Sequence, residues 1–192
     1  MKIRYLLPLV LSAAAFACLN ATTVIPPTFE QLVGQAELIF QGTVTDARSV
    51  WEGEGGQRHI ETYVTFQIED SLKGNAGGSY TIRMLGGTVG DETMEVTDTP
   101  HFQVGDRDIL FVEHNYDQFV PLVGIQHGRM HVQRDEATGR DIVVNGEGEP
   151  VKNLMKLGRE EESVSSAEAI TPEQLKAAVK DQLKSQADRS TP

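Results

Sequence analysis

The chain carries one cysteine in 192 residues, Cys18, so no disulfide can form within it and the core alone must hold the fold. Basic residues are also scarce: 17 Lys and Arg stand against 28 Asp and Glu, a formal net charge of −11. A charge of that sign repels phosphate backbones and anionic membrane surfaces, so nucleic acid is not an expected partner. Beyond residue 21 no run approaches the roughly 20 apolar residues that a membrane-spanning helix needs. Familiar catalytic patterns are missing as well. There is no His-Glu-x-x-His, no Gly-x-Ser-x-Gly, no phosphate-binding loop and no paired Cys-x-x-Cys. The expectation is a non-catalytic protein without a cofactor or a resident metal.

What is present begins with an export signal over residues 1–21. Lys2 and Arg4 supply the positive region, Tyr5 to Phe16 is an apolar stretch, and Ala17 and Ala21 offer cleavage points. Cys18, following Ala15-Phe16-Ala17, is a candidate lipidation position if the signal is of the lipoprotein type. The protein is therefore expected in the periplasm or outside the cell, either free or anchored through Cys18. About 170 residues remain after the signal, enough to bury about 70% of the unfolded chain's surface in one domain.

The patterning is mainly β. From His59 to Asp70 the apolar and polar residues alternate, with Ile60, Thr62, Val64, Phe66 and Ile68 on one face, the period of a strand with one side in a core. Glu37 to Asp46 reads as a second strand in which Gly42 marks a bend or a close backbone approach. Thr28 to Gln35 reads as a short helix, with Thr28 as cap, Gln31 at capping-box spacing, and Leu32 and Val33 facing inward. Ser79 to Leu85 and Asp108 to Glu113 are further strands, the second apolar enough for burial on both faces. Phe119 to Val123 and Met130 to Gln133 are shorter candidates, and Asp141 to Val144 forms a hairpin partner between turns at Gly139 and Asn145-Gly146. The resulting domain occupies residues 22–150. A polar linker follows over 151–170, and then a helix over 171–187 opened by Thr171-Pro172. Its narrow stripe of Leu175, Val179 and Leu183 is suited to docking on the body.

Several segments occur in a recognisable order. They are Val24-Ile25-Pro26-Pro27, Ala36 to Gly42, Tyr63 to Gly74 (YVTFQIEDSLKG), and Phe102-Gln103-Val104-Gly105 followed by Ile109-Leu110-Phe111. Together they resemble the netrin-like, or tissue-inhibitor-of-metalloproteinase-like, OB-fold family over residues 22–115. The resemblance implies an OB-like, five-stranded, partly open barrel, here with a C-terminal β-hairpin extension and one amphipathic helix. It also implies a partner, an extracytoplasmic zinc protease. In that family the free N-terminal residue chelates the protease zinc through its amine and carbonyl, and the next side chain enters the specificity pocket. Those positions fall on Thr22, where the family's inhibitors have cysteine, and on Thr23.

Other candidate residues come from the residues themselves. The segment Gly86 to Glu95 holds glycines that let backbone approach a ligand and acids, Asp91, Glu92 and Glu95, that offer oxygens to a cation. The plainer reading is an acidic connection between strands. Trp51 sits in an expected hairpin loop, as a contact residue or as a plug at the barrel end. His127 and His131 are four apart, but Gly128 between them argues for a strand or turn, which separates their rings. His59, His101 and His114 have no carboxylate at a recognisable spacing. Asp106-Arg107-Asp108 reads as a turn with Arg107 paired locally, and as a carboxylate pair only if the protein is a hydrolase. Three roles follow: a binding module for an extracytoplasmic protein or ligand, a zinc-protease inhibitor, or a hydrolase with an unrecognised site.

Overall fold

A computed structural model describes residues 26–157 and 166–190. The export signal, Cys18, Thr22 and Thr23 lie outside the described residues. The chain enters through Pro26-Pro27 into helix α1 (Phe29–Gln35). Thr28 Oγ1 accepts from the Gln31 amide and the Gln31 side chain accepts from the Thr28 amide, completing the expected capping box. Two strands of fifteen residues follow, β1 (Leu38–Glu52) and β2 (His59–Lys73), then β3 (Ser79–Leu85). A small hairpin of β4 (Gly87–Val89) and β5 (Glu92–Met94) precedes β6 (Arg107–Val112), β7 (Arg129–Asp135), β8 (Arg140–Val144) and helix α2 (Pro172–Ser190).

The main sheet is antiparallel and six-stranded, in the order β3-β2-β1-β6-β7-β8. Among the described residues β3 and β8 end it without pairing with each other, so the sheet is not a closed barrel. It has six strands where the sequence suggested five, because β7 pairs with β6 and carries the C-terminal hairpin into the same sheet. The segment 119–123, expected as a strand, is loop with a lone bridge from Leu122 to Val112.

Both faces of the sheet are covered, which explains why β6 is apolar without alternation. Ile109 and Phe111 point to one side with Ile39, Met130, Val132 and Val143, where Phe29, Leu32 and Val33 of α1 and Leu175 and Val179 of α2 close the core. Leu110 and Val112 point to the other side with Phe40, Val44, Val64, Phe66 and Ile82, under the loop residues Val120, Leu122 and Phe102. Edge-on ring pairs, Phe40 with Phe66 at 5.5 Å and Phe66 with Phe102 at 5.5 Å, knit this second core. The two helices are tied together where Arg189 Nη1 donates to Glu30 Oε1 at 2.9 Å. Among the described residues no helix is long and apolar enough to cross a membrane.

Two local features make β1 and β2 fit. Their pairing is interrupted by three register shifts that bend the ribbon, and a Cβ at Gly42 would come 2.8 Å from the Gln67 carbonyl oxygen. That is the close approach the sequence suggested. At the end of β2, Lys73 Nζ donates to the carbonyls of Val33 (2.8 Å) and Gly34 (3.1 Å), capping the C-terminal turn of α1 that has no basic residue of its own. Burial lowers the Lys73 pKa from its ordinary value.

Candidate functional site

Where β1 and β2 run past the second core, the hydrophobic cover ends and hydroxyls take its place. Ser49 and Thr62, opposite each other in the register, are hydrogen-bonded at 2.8 Å, and Thr62 Oγ1 donates to the Gly86 carbonyl at 2.6 Å. The Gly86 amide in turn donates to the Ile60 carbonyl at 2.7 Å. Gly87 (φ +132°) lies so close to the Ser49 and Thr62 hydroxyls that a side chain there would collide with both. These glycines therefore anchor the β4–β5 hairpin onto the sheet, and the Gly86 amide is already bonded within the chain.

Between this anchor and the segment Glu95 to Phe102 lies a cleft of about 700 Å³. Met84, Met94 and Phe102 supply its apolar surface; Thr88, Thr93, Thr97 and Thr99 supply hydroxyls; Glu95 and Asp98 supply negative charge, and among the described residues no Lys or Arg lines it. Thr88 and Thr93 satisfy each other at 3.0 Å. Thr99 Oγ1 is buried and has no hydrogen-bond partner among the described residues.

The wall of the cleft is held by one side chain. Arg129, at the start of β7, donates from Nε to Asp108 Oδ1 (2.8 Å) and from Nη2 to Asp106 Oδ2 (2.9 Å), and its Nη1 donates to the His101 carbonyl (2.5 Å). Its guanidinium lies 4.3 Å from the centre of the Phe102 ring. Asp108 is fully buried and also meets His131 Nδ1 at 2.9 Å. Asp106, Asp108 and His131 are the one group of this kind among the described residues close enough to share a cation. Arg129, however, already bonds both carboxylates and lies 3.4 Å from His131 Nδ1. The guanidinium fills the place a metal would take. Among the described residues no hydroxyl is bonded to the His131 ring.

The sequence-level candidates fall in several places. Asp91 follows the turn at Gly90 and Glu92 begins β5; both are exposed and outside the cleft lining, whereas Glu95 lines it. Trp51 is not in a loop: it lies at the end of β1, paired with Ile60, with the Arg58 guanidinium 4.1 Å over its ring. Arg107 does not pair locally but reaches Asp141 at 2.8 Å, which, with Arg134, holds the Asp141 carboxyl below its ordinary range. His127 sits in a turn, while His131 is committed to Asp108. His114 does have acidic neighbours, lying 3.8 Å from both Glu37 and Glu113.

His59 is likewise not without a carboxylate. It bonds the Gln57 carbonyl (2.8 Å) and Glu61 (3.2 Å), and these two contacts, the carbonyl first, raise its pKa above 6.5. The spacing of two along a strand puts both side chains on one face, a signal that was available in the sequence. Glu61 also receives Arg83 (2.8 Å) and the Tyr63 hydroxyl (2.9 Å). Burial, then Glu61, pushes the Tyr63 pKa up to about 12. Both raised values favour the protonated forms in the fold, so the stabilisation is complete below the ordinary pKa and is lost as pH rises through the folded one.

Replacing Arg129 with Met leaves the buried Asp108 carboxylate with His131 alone and removes the partner of Asp106, and is expected to cost about 3 kcal/mol of stability. The exposed Arg134, which meets Asp141 at 3.1 Å, is expected to cost less than about 1 kcal/mol in the same substitution. Urea denaturation of the two variants checks this; equal losses would contradict the assignment of Arg129 as a buried tie. Compared with known proteins, the chain matches no family model, no curated protein and no solved structure.

Proposed function

We propose that the protein is an exported, non-catalytic binding module whose ligand enters the cleft between the β4–β5 hairpin and the segment 95–102. The observation that carries this reading is an open volume of about 700 Å³ whose lining joins the apolar surface of Met84, Met94 and Phe102 to threonine hydroxyls and to the carboxylates of Glu95 and Asp98. Sites for small ligands are concave, largely preformed, and mix apolar surface with a few placed polar groups. Export follows from the signal-like residues 1–21, and an envelope or secreted protein is the natural partner class.

The kinship to the netrin-like OB family belongs to the same proposal. Three bulges in β1–β2, a helix against one sheet face, and the Lys73-Gly74 end of β2 locked onto α1 are compatible with it. Gly74 (φ +71°) lies close to the Glu37 carbonyl and Leu38, so this part of the resemblance has a packing reason. Fold kinship alone does not identify a ligand.

A second reading, inhibition of a zinc protease through Thr22 and Thr23, draws support from where the chain enters. Pro27 lies against Gly124, next to the exposed Ile125 and near the apolar groove that contains Phe119. The first described residues therefore adjoin apolar surface. Protein beginning at Thr22 is expected to inhibit a zinc metalloprotease and to change its selectivity on Thr23→Gly. Absence of inhibition by protein with a free Thr22 amine ends this reading.

For the cleft itself, a panel of small neutral solutes is expected to perturb the amide resonances of Thr62, Thr88, Thr97 and Thr99. Thr93→Trp, which fills the opening, is expected to weaken those effects about tenfold or more, equivalent to about 1.4 kcal/mol. Perturbations scattered over the surface, or insensitive to Thr93→Trp, would contradict the cleft as the site.

A further inference from the structure

We propose that the cleft and the apolar groove beside it together receive an extended segment of a partner protein, one carrying an aliphatic or aromatic side chain next to a Lys or Arg. This inference rests on the cleft being a binding site and adds the chemistry of its occupant.

The two spaces are neighbours because Val96 and Thr97 line both. On one side is the hydroxyl-rich cleft with Glu95 and Asp98. On the other is a groove of about 390 Å³ formed by Phe119, Val120 and Ile125, with Asp117 at its edge. Among the described residues neither space is lined by a Lys or Arg. A ligand spanning the ridge would meet apolar surface first and negative charge next, the pattern of a basic-apolar segment. Exposed carboxylates of this kind contribute selectivity and encounter rate more than affinity, so the apolar anchor must supply most of the binding.

The groove is held ready for such an anchor. Phe119 is 71% exposed, yet its carbonyl accepts from the Leu85 amide at 2.7 Å. Asn115 fixes the same loop by bonding the Arg83 amide (3.1 Å) and the Thr81 carbonyl (2.9 Å). Ile125 is 39% exposed and held at φ +62°, a conformation a β-branched residue adopts only when the surroundings impose it. A large exposed ring on a fixed loop lowers the ordering cost of binding.

Charge and sheet edges exclude the other occupants. A second copy would bring a net charge of −11 and the same acidic rim against itself, and an anionic lipid surface would be repelled in the same way. Adding a strand at β3 would have to displace Asn115 and Phe119. At β8 it would have to displace Val151 and Ile170, whose backbone bonds at 2.9 Å already cover Val143. Recognition is therefore by side chains in the two hollows, not by a backbone ladder.

The test is selection of random linear peptides displayed on phage against the whole protein. Enriched peptides are expected to place Leu, Ile or Phe beside Lys or Arg. Resynthesised, they are expected to bind about tenfold or more weakly to Phe119→Ser. Against Glu95→Gln with Asp98→Asn they are expected to lose their preference over Lys-to-Glu counterparts. Both sets of substitutions are on exposed side chains, and a thermal melt verifies the fold. Enrichment without the basic-apolar pattern, equal binding to these variants, or no enrichment overturns the proposal. If neutral solutes still map to the cleft in that event, only the occupant assigned here is wrong. If they do not, the binding-site reading falls with it.

Discussion

Arg129 is the residue on which the cleft depends. It joins a fully buried carboxylate on β6, a loop carboxylate at Asp106, a loop carbonyl at His101 and the face of Phe102. The same Phe102 ring stands edge-on against Phe66 in the second core. A single guanidinium thus ties the irregular segment that walls the cleft to two strands of the sheet. The planar fork explains why Arg and not Lys is used, since three donors must reach three separate acceptors in fixed directions. A buried ion pair is weak evidence for added stability, and its better-attested role is to specify one arrangement. Here the arrangement specified is the position of a loop.

The cleft exists because the β1–β2 ribbon is longer than the material covering it. Along the first part of β1 both faces are buried, by α1 and α2 on one side and by Val120, Leu122 and Phe102 on the other. Beyond Ala47 the inner positions are Ser49 and Thr62, which bond each other and accept the β4–β5 hairpin as a partial lid. The opposite face at that end carries Glu61, Tyr63, His59 and Arg83 in a hydrogen-bonded group. That network makes a polar end of the sheet stable without a hydrophobic cover, and leaves the hairpin side free to form a concave surface.

What the sequence disclosed was local. The alternation in β2, the capping box of Thr28 and Gln31, the unbroken apolar run of β6 and the close approach at Gly42 each depend on neighbours in the chain or on one partner strand. The candidate site was legible only in part. Gly86 to Glu95 stood out, but the roles of its residues did not. Gly87 serves packing against Ser49 and Thr62, and Asp91 and Glu92 are not among the residues that line the cleft with Glu95. Arg129, His131 and Asp108 meet only through the β6–β7 register, 21 and 23 residues apart, and no spacing rule announces a contact of that kind. The 119–123 segment looked like a strand because it is apolar. It bonds β6 only around the Leu122–Val112 bridge, where Glu113 donates to Pro121 and Val123 to Phe111, while the Phe119 carbonyl turns to Leu85 of β3.

The most direct test of Arg129 as the tie that holds the cleft wall is hydrogen exchange on a variant that removes both buried charges, Asp108→Asn with Arg129→Met. Replacing both partners avoids an unpaired buried charge, so the fold is expected to persist. The account predicts faster exchange confined to residues 96–106, with α1, α2 and the first half of β1 protected as before. Unchanged protection in 96–106, or a loss spread evenly over the whole sheet, would contradict it.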